Sequence, residues 1–82
     1  MKLAVHIKGP GYDDRAELCD DRAECLPGQP VLVLRGKVLG IAELPLGTRI
    51  EVVWRKGRTD PVRAMVQKAI DAGYPINMDQ VG

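Results

Sequence analysis

The chain is poor in side chains that do chemistry. It contains one histidine (His6), two cysteines (Cys19 and Cys25) and no serine. Without serine there is no nucleophile for serine-hydrolase chemistry. One histidine and two cysteines cannot supply the four nitrogen and sulfur ligands of a structural zinc site. His6 would act as a general base only with a partner at hydrogen-bond distance, and its spacing puts it on the polar side of an alternating segment. The expectation is a chain with no catalytic constellation, no metal site and no cofactor.

Charge is the more informative chemistry. The formal net charge is only +1, too little to hold a nucleic acid by bulk attraction. Its distribution is uneven: residues 1–30 carry an excess of acids and residues 31–82 an excess of bases. Two clusters follow. Asp13, Asp14, Glu17, Asp20, Asp21 and Glu24 lie in a tandem Asp-Asp-Arg-Ala-Glu repeat with a spacing of seven residues. Arg55, Lys56 and Arg58, with Arg63 close behind, make the most basic stretch. Each is a candidate partner-binding surface, the first for a basic protein and the second for an acidic groove or a nucleic acid.

Both clusters need elements to position them. Lys2–Lys8 alternates, with Leu3, Val5 and Ile7 on one side and Lys2, Ala4, His6 and Lys8 on the other, which predicts a half-buried strand at 2–8. Gly9-Pro10-Gly11 ends it. Asp14 with Glu17 three residues on gives a helix-start signature, and Pro27-Gly28-Gln29-Pro30 gives a stop, so residues 13–26 are expected to form a helix. On it the six acids share one face, beside a small-residue stripe of Ala16, Cys19, Ala23 and Leu26. Cys19 and Cys25 would be about 9 Å apart along the helix axis, beyond the roughly 7 Å Cα separation that a disulfide tolerates. Free thiols are expected, with Cys19 partly buried.

Residues 31–55 read as a three-stranded meander broken at Arg35-Gly36-Lys37 and Pro45-Leu46-Gly47-Thr48. A two-residue turn at Arg35-Gly36 pairs Leu34 with Lys37, Val33 with Val38 and Leu32 with Leu39. Ile50, Val52 and Trp54 face the core, while Val31, Val33 and Val53 leave a second apolar face suited to a partner or to a second copy of the chain. Asp60 as N-cap and Pro61 as first residue open a helix at 61–72, with the stripe Val62, Met65, Val66, Ala69 and Ile70. Gly73 is its expected C′ residue, and Pro75 blocks continuation. In the tail 74–82, Ile76 and Met78 alternate as in a short added strand.

The expected fold is therefore α+β: a single compact domain over 1–82 in β-α-β-β-β-α order, a small antiparallel sheet with one or two helices on it. In architecture the β-β-β-α order of 31–72 resembles the double-stranded-RNA-binding domain. Asp60-Pro61-Val62-Arg63 stands where that family's last helix opens with lysines, so no RNA contact is carried over. With no apolar run of about 20 residues and no signal-peptide pattern at the N-terminus, a soluble cytoplasmic protein is expected, with no membrane role. The functional expectation is a small non-catalytic protein-binding module whose format is similar to that of phage-borne inhibitors of host nucleic-acid machines, the anti-CRISPR proteins. The alternative is a small nucleic-acid-binding domain that uses the basic turn at 55–63.

Overall fold

In a computed structural model of the chain, residues 1–53 and 59–76 are described. Five strands, β1 (Lys2–Gly9), β2 (Tyr12–Cys19), β3 (Val31–Leu34), β4 (Lys37–Leu39) and β5 (Arg49–Val52), precede one helix, α1 (Thr59–Asp71). The strands make one antiparallel sheet in the order β4-β3-β2-β1-β5. The protein is thus a small α+β fold, as expected, but in a different order of elements.

The largest difference lies at 13–26. No helix forms there. Tyr12–Cys19 is a strand, paired with β1 along its whole length from Lys2↔Cys19 to Gly9↔Tyr12. The reason is the turn before it. Pro10-Gly11, with Gly11 at φ 82°, suits the central positions of a type II turn and folds the chain straight back on β1. A period of two is also present in this segment: Tyr12, Asp14, Ala16 and Leu18 on one face, Asp13, Arg15, Glu17 and Cys19 on the other. Pairing with β1 buries Ala16 and Leu18 beside Val5 and Leu3, whereas Leu26 of the helical stripe stays exposed. The second Asp-Asp-Arg-Ala-Glu copy, Asp20–Glu24, is a run of bends and turns, so the two copies take different conformations.

The meander is also corrected. Its first half forms in the expected register, Leu34↔Lys37, Val33↔Val38 and Leu32↔Leu39. The connecting residues Arg35 (φ 51°) and Gly36 (φ 80°) have the two positive φ angles of a type I′ turn. The second half does not continue from β4. A 3-10 helix at Ile41–Glu43 and the turn closed by Thr48 N–H to Pro45 C=O (3.1 Å) carry the chain to the far side of the sheet. There β5 pairs with β1 through Ile50↔Ile7 and Val52↔Val5. A central strand needs hydrogen-bond partners on both sides, and β5 supplies the one that β1 lacks. The β-β-β-α likeness of 31–72 to the double-stranded-RNA-binding domain goes with the meander.

The core lies on one face of the sheet, under α1. Leu3, Val5, Ile7, Leu18, Leu32 and Ile50 meet Val62, Met65, Val66 and Ala69, all buried, with Ile70 packed alongside. The apolar stripe read from the sequence is thus the face that α1 buries. The helix begins two residues before the expected start, placing Asp60 and Pro61 inside its first turn. It ends as expected at Gly73 (φ 103°), where Gly73 N–H to Ile70 C=O (2.9 Å) and Tyr74 N–H to Ala69 C=O (3.1 Å) form a Schellman cap. Beyond it, Ile76 bridges Ile50, and Ile50 N–H donates to Pro75 C=O at 2.8 Å. Trp54 and Met78 lie outside the described residues. No described helix is long and apolar enough to cross a membrane.

Candidate functional site

The other face of the sheet carries no helix or strand among the described residues, and its side chains follow from the register. Glu17 pairs with Ala4 on one side and Val33 on the other, Val33 pairs with Val38, and Val53 N–H donates to Ala4 C=O at 3.0 Å. Val38, Val33, Glu17, Ala4 and Val53 therefore form one row across β4, β3, β2 and β1 to the residue that follows β5, apolar except for Glu17. Ala4 and Glu17 are exposed, Val38 and Val53 half-buried, and Val33 nearly covered by its neighbours. The sequence pointed to Val33 and Val53 here. It missed Val38 and Ala4, which join them only through the hairpin register and the β1–β5 pairing.

Charged side chains flank the row. His6 and Arg15 are cross-strand neighbours, and Arg15 and Arg35 rim a depression of about 330 Å³ that also involves Ala4, Glu17 and Val33. Next come Asp13, Lys8, Glu51 and Arg49. His6 Nδ1 lies 3.0 Å from Asp13 Oδ1, Lys8 Nζ lies 2.8 Å from Glu51 Oε2, and Arg49 Nε lies 3.6 Å from Glu51 Oε1. The hydrogen bond and charge of Lys8 hold the Glu51 carboxyl below its ordinary range, and Glu51 in turn raises Lys8. These exposed pairs contribute little each to stability. What they set is the pattern of charge that a partner meets.

The acidic stripe is not one surface, because the helix that would have aligned it is absent. Asp13 and Glu17 lie on the open face, whereas Asp14 lies on the helix-covered face, where Arg35 reaches it at 3.5 Å. Asp20 and Asp21 hold the Met1 amine at 2.6 and 3.4 Å; that hydrogen bond and charge lower the Asp20 carboxyl and raise the amine. Glu24 accepts from Arg22 at 2.9 Å, which lowers its carboxyl. Five of the six acids thus have a cation among the described residues, Asp13 through Lys8 at 4.0 Å, and Glu17 is the exception there. Of the basic cluster, Arg55, Lys56 and Arg58 lie outside the described residues, and Arg63 is exposed on α1.

Both cysteines are free. Cys19 is buried, and burial, followed by the charges of Glu17 and Asp21, pushes its thiol above the usual range. Cys25 donates from Sγ to the Cys19 carbonyl at 3.2 Å. With no helix between them, the axial-rise argument against a Cys19–Cys25 bond does not apply. Among the described residues no group of three His, Cys, Asp or Glu side chains could hold a metal ion. Comparison with known proteins found no family model, no curated protein and no solved structure that matches the chain, so its role has to be read from the chemistry of its own surface.

Proposed function

We propose that the protein is a small non-catalytic binding module that meets a protein partner through the open face of its sheet. The observation that carries this reading is the row Val38-Val33-Glu17-Ala4-Val53, apolar but for Glu17, left without a covering helix or strand among the described residues and flanked by Arg15 and Arg35. Apolar surface bordered by fixed charge is what an interface centre and its rim require. The matching partner presents apolar side chains bordered by carboxylates, which would meet Arg15 directly and Arg35 in competition with its exposed pair to Asp14. In its narrower form the module is an inhibitor of a nucleic-acid machine, of the anti-CRISPR type, working in the cytoplasm. A second copy of the chain is the competing occupant, distinguished by molar mass in solution.

The test compares capture from the native host by three forms of the protein, followed by mass spectrometry. Ala4→Glu/Arg15→Glu, both exposed positions, should abolish capture of the specific partner while leaving the far-ultraviolet circular dichroism unchanged. Asp20→Lys/Asp21→Lys/Glu24→Lys should retain it, since those acids are engaged within the chain. The reverse result transfers the function to the acids. The nucleic-acid alternative, resting on Arg55, Lys56, Arg58 and Arg63, requires an affinity that falls steeply between low and physiological salt. The near-neutral total charge favours the protein partner.

A further inference from the structure

On the helix-covered side, the end of the sheet beyond the reach of α1 is closed by the crossing segment instead. This leaves a cavity of about 320 Å³ between Ile7, Leu34, Leu39 and Leu44, with Tyr12, Pro45, Asp14 and Glu43 also in its lining. The volume is at the lower end of the range for small-molecule sites, about 300 Å³ upward. Asp14 is the anomaly. Between Tyr12 and Ala16 and opposite Ile7, it is the one carboxylate on this face of β1 and β2.

Its counterion is loosely held. Arg35 reaches Asp14 at 3.5 Å from a side chain that is 81% exposed, the geometry of a weak and exchangeable ion pair. Glu43 accepts only a long 3.4 Å hydrogen bond from Gly40 N–H. Among the described residues no cationic side chain lines the cavity. Asp14 is itself 42% exposed, so a cation reaches it without full desolvation. A neutral guest would gain nothing from either carboxylate, and an anion would be repelled.

We propose that this cavity binds a small amphipathic amine, its ammonium group replacing Arg35 at Asp14 and its hydrocarbon lying against Ile7, Leu34, Leu39 and Leu44. The site is on the face opposite the row of the partner surface; Arg35 borders both, and Ala4→Glu/Arg15→Glu, which should leave amine binding unchanged, tells them apart.

The experiment is a ¹H–¹⁵N NMR titration of the full chain with hexylamine, set against hexan-1-ol and hexanoate as neutral and anionic probes of the same length. Hexylamine should give saturable shifts centred on Ile7, Leu34, Leu39 and Leu44. Its affinity should exceed that of hexanol by about tenfold or more, the size of one charge-assisted hydrogen bond, and hexanoate should not bind. Asp14→Asn should weaken amine binding about tenfold, and Glu43→Gln should weaken it to a smaller extent. Arg35→Asn keeps a residue that tolerates the positive φ of the turn and should tighten amine binding by removing the competing guanidinium. Spectral dispersion reports whether each variant is folded. Equal binding of hexylamine and hexanol, shifts elsewhere on the protein, or an amine affinity indifferent to both Asp14→Asn and Arg35→Asn would overturn the proposal.

Discussion

Leu18 and Leu26 separate the observed strand from the helix that the local sequence suggests. On a helix over 13–26, Leu26 would join Ala16, Cys19 and Ala23 on the packed stripe, and Leu18 would fall outside it. In the sheet, Leu18 is 0% exposed, paired with Leu3 and Leu32 on either side, while Leu26 is 64% exposed. Leu18→Ala removes most of a fully buried side chain and leaves a cavity between two strands and α1, at a cost of about 2–5 kcal/mol. For a small domain with a total stability of about 5–15 kcal/mol, a loss near 3 kcal/mol lowers Tm by roughly 12–24 °C. Leu26→Ala should stay within about 0.5 kcal/mol of wild type. Urea unfolding followed by circular dichroism measures both, with the denaturant slope unchanged in each variant if the folded and unfolded states keep their compactness. Equal costs, or a larger cost at Leu26, would refute the strand and restore the helical stripe.

Three further outcomes are expected. A Cβ on Gly9 would overlap the ring of Tyr12, whose hydroxyl is hydrogen-bonded to that of Thr48, so Gly9→Ala should cost about 1–3 kcal/mol; denaturation in a Tyr12→Leu background should recover most of that loss. With a thiol that is buried and raised, Cys19 should react with iodoacetamide far more slowly than Cys25, and peptide mapping after partial labelling checks the order. Because Lys8 depresses the Glu51 carboxyl, that pair stabilises the fold fully above the unfolded glutamate pKa of about 4.3, and the effect is lost as the pH falls through the lower folded value. Lys8→Met should therefore flatten the fall in Tm between about pH 5 and pH 3; an unchanged profile would leave the pair without energetic weight.

Some elements were legible because their determinants are local. The type I′ turn at Arg35-Gly36 fixes the pairing of β3 with β4 within a few residues. The stripe from Val62 to Ile70, closed by Gly73, specifies the buried face and the end of α1. The candidate face was half legible. Alternation put Val33 and Val53 on one side of their strands, but which strands would stand side by side was not written in either segment.

What the sequence determined by itself is the set of elements whose hydrogen bonds and apolar contacts close over short separations: β1, the β3–β4 hairpin and α1. Tertiary structure decided the rest, and the acidic repeat is the plainest case. The same five residues, Asp-Asp-Arg-Ala-Glu, lie within β2 at 13–17 and in bends and turns at 20–24. Nothing within the repeat distinguishes the two copies. β1 does, since its backbone must be paired along its length, and the Pro10-Gly11 turn delivers the first copy to it but not the second. That choice split the six acids among two sheet faces and a loop, and it set Glu17 between Ala4 and Val33 in the row on the open face.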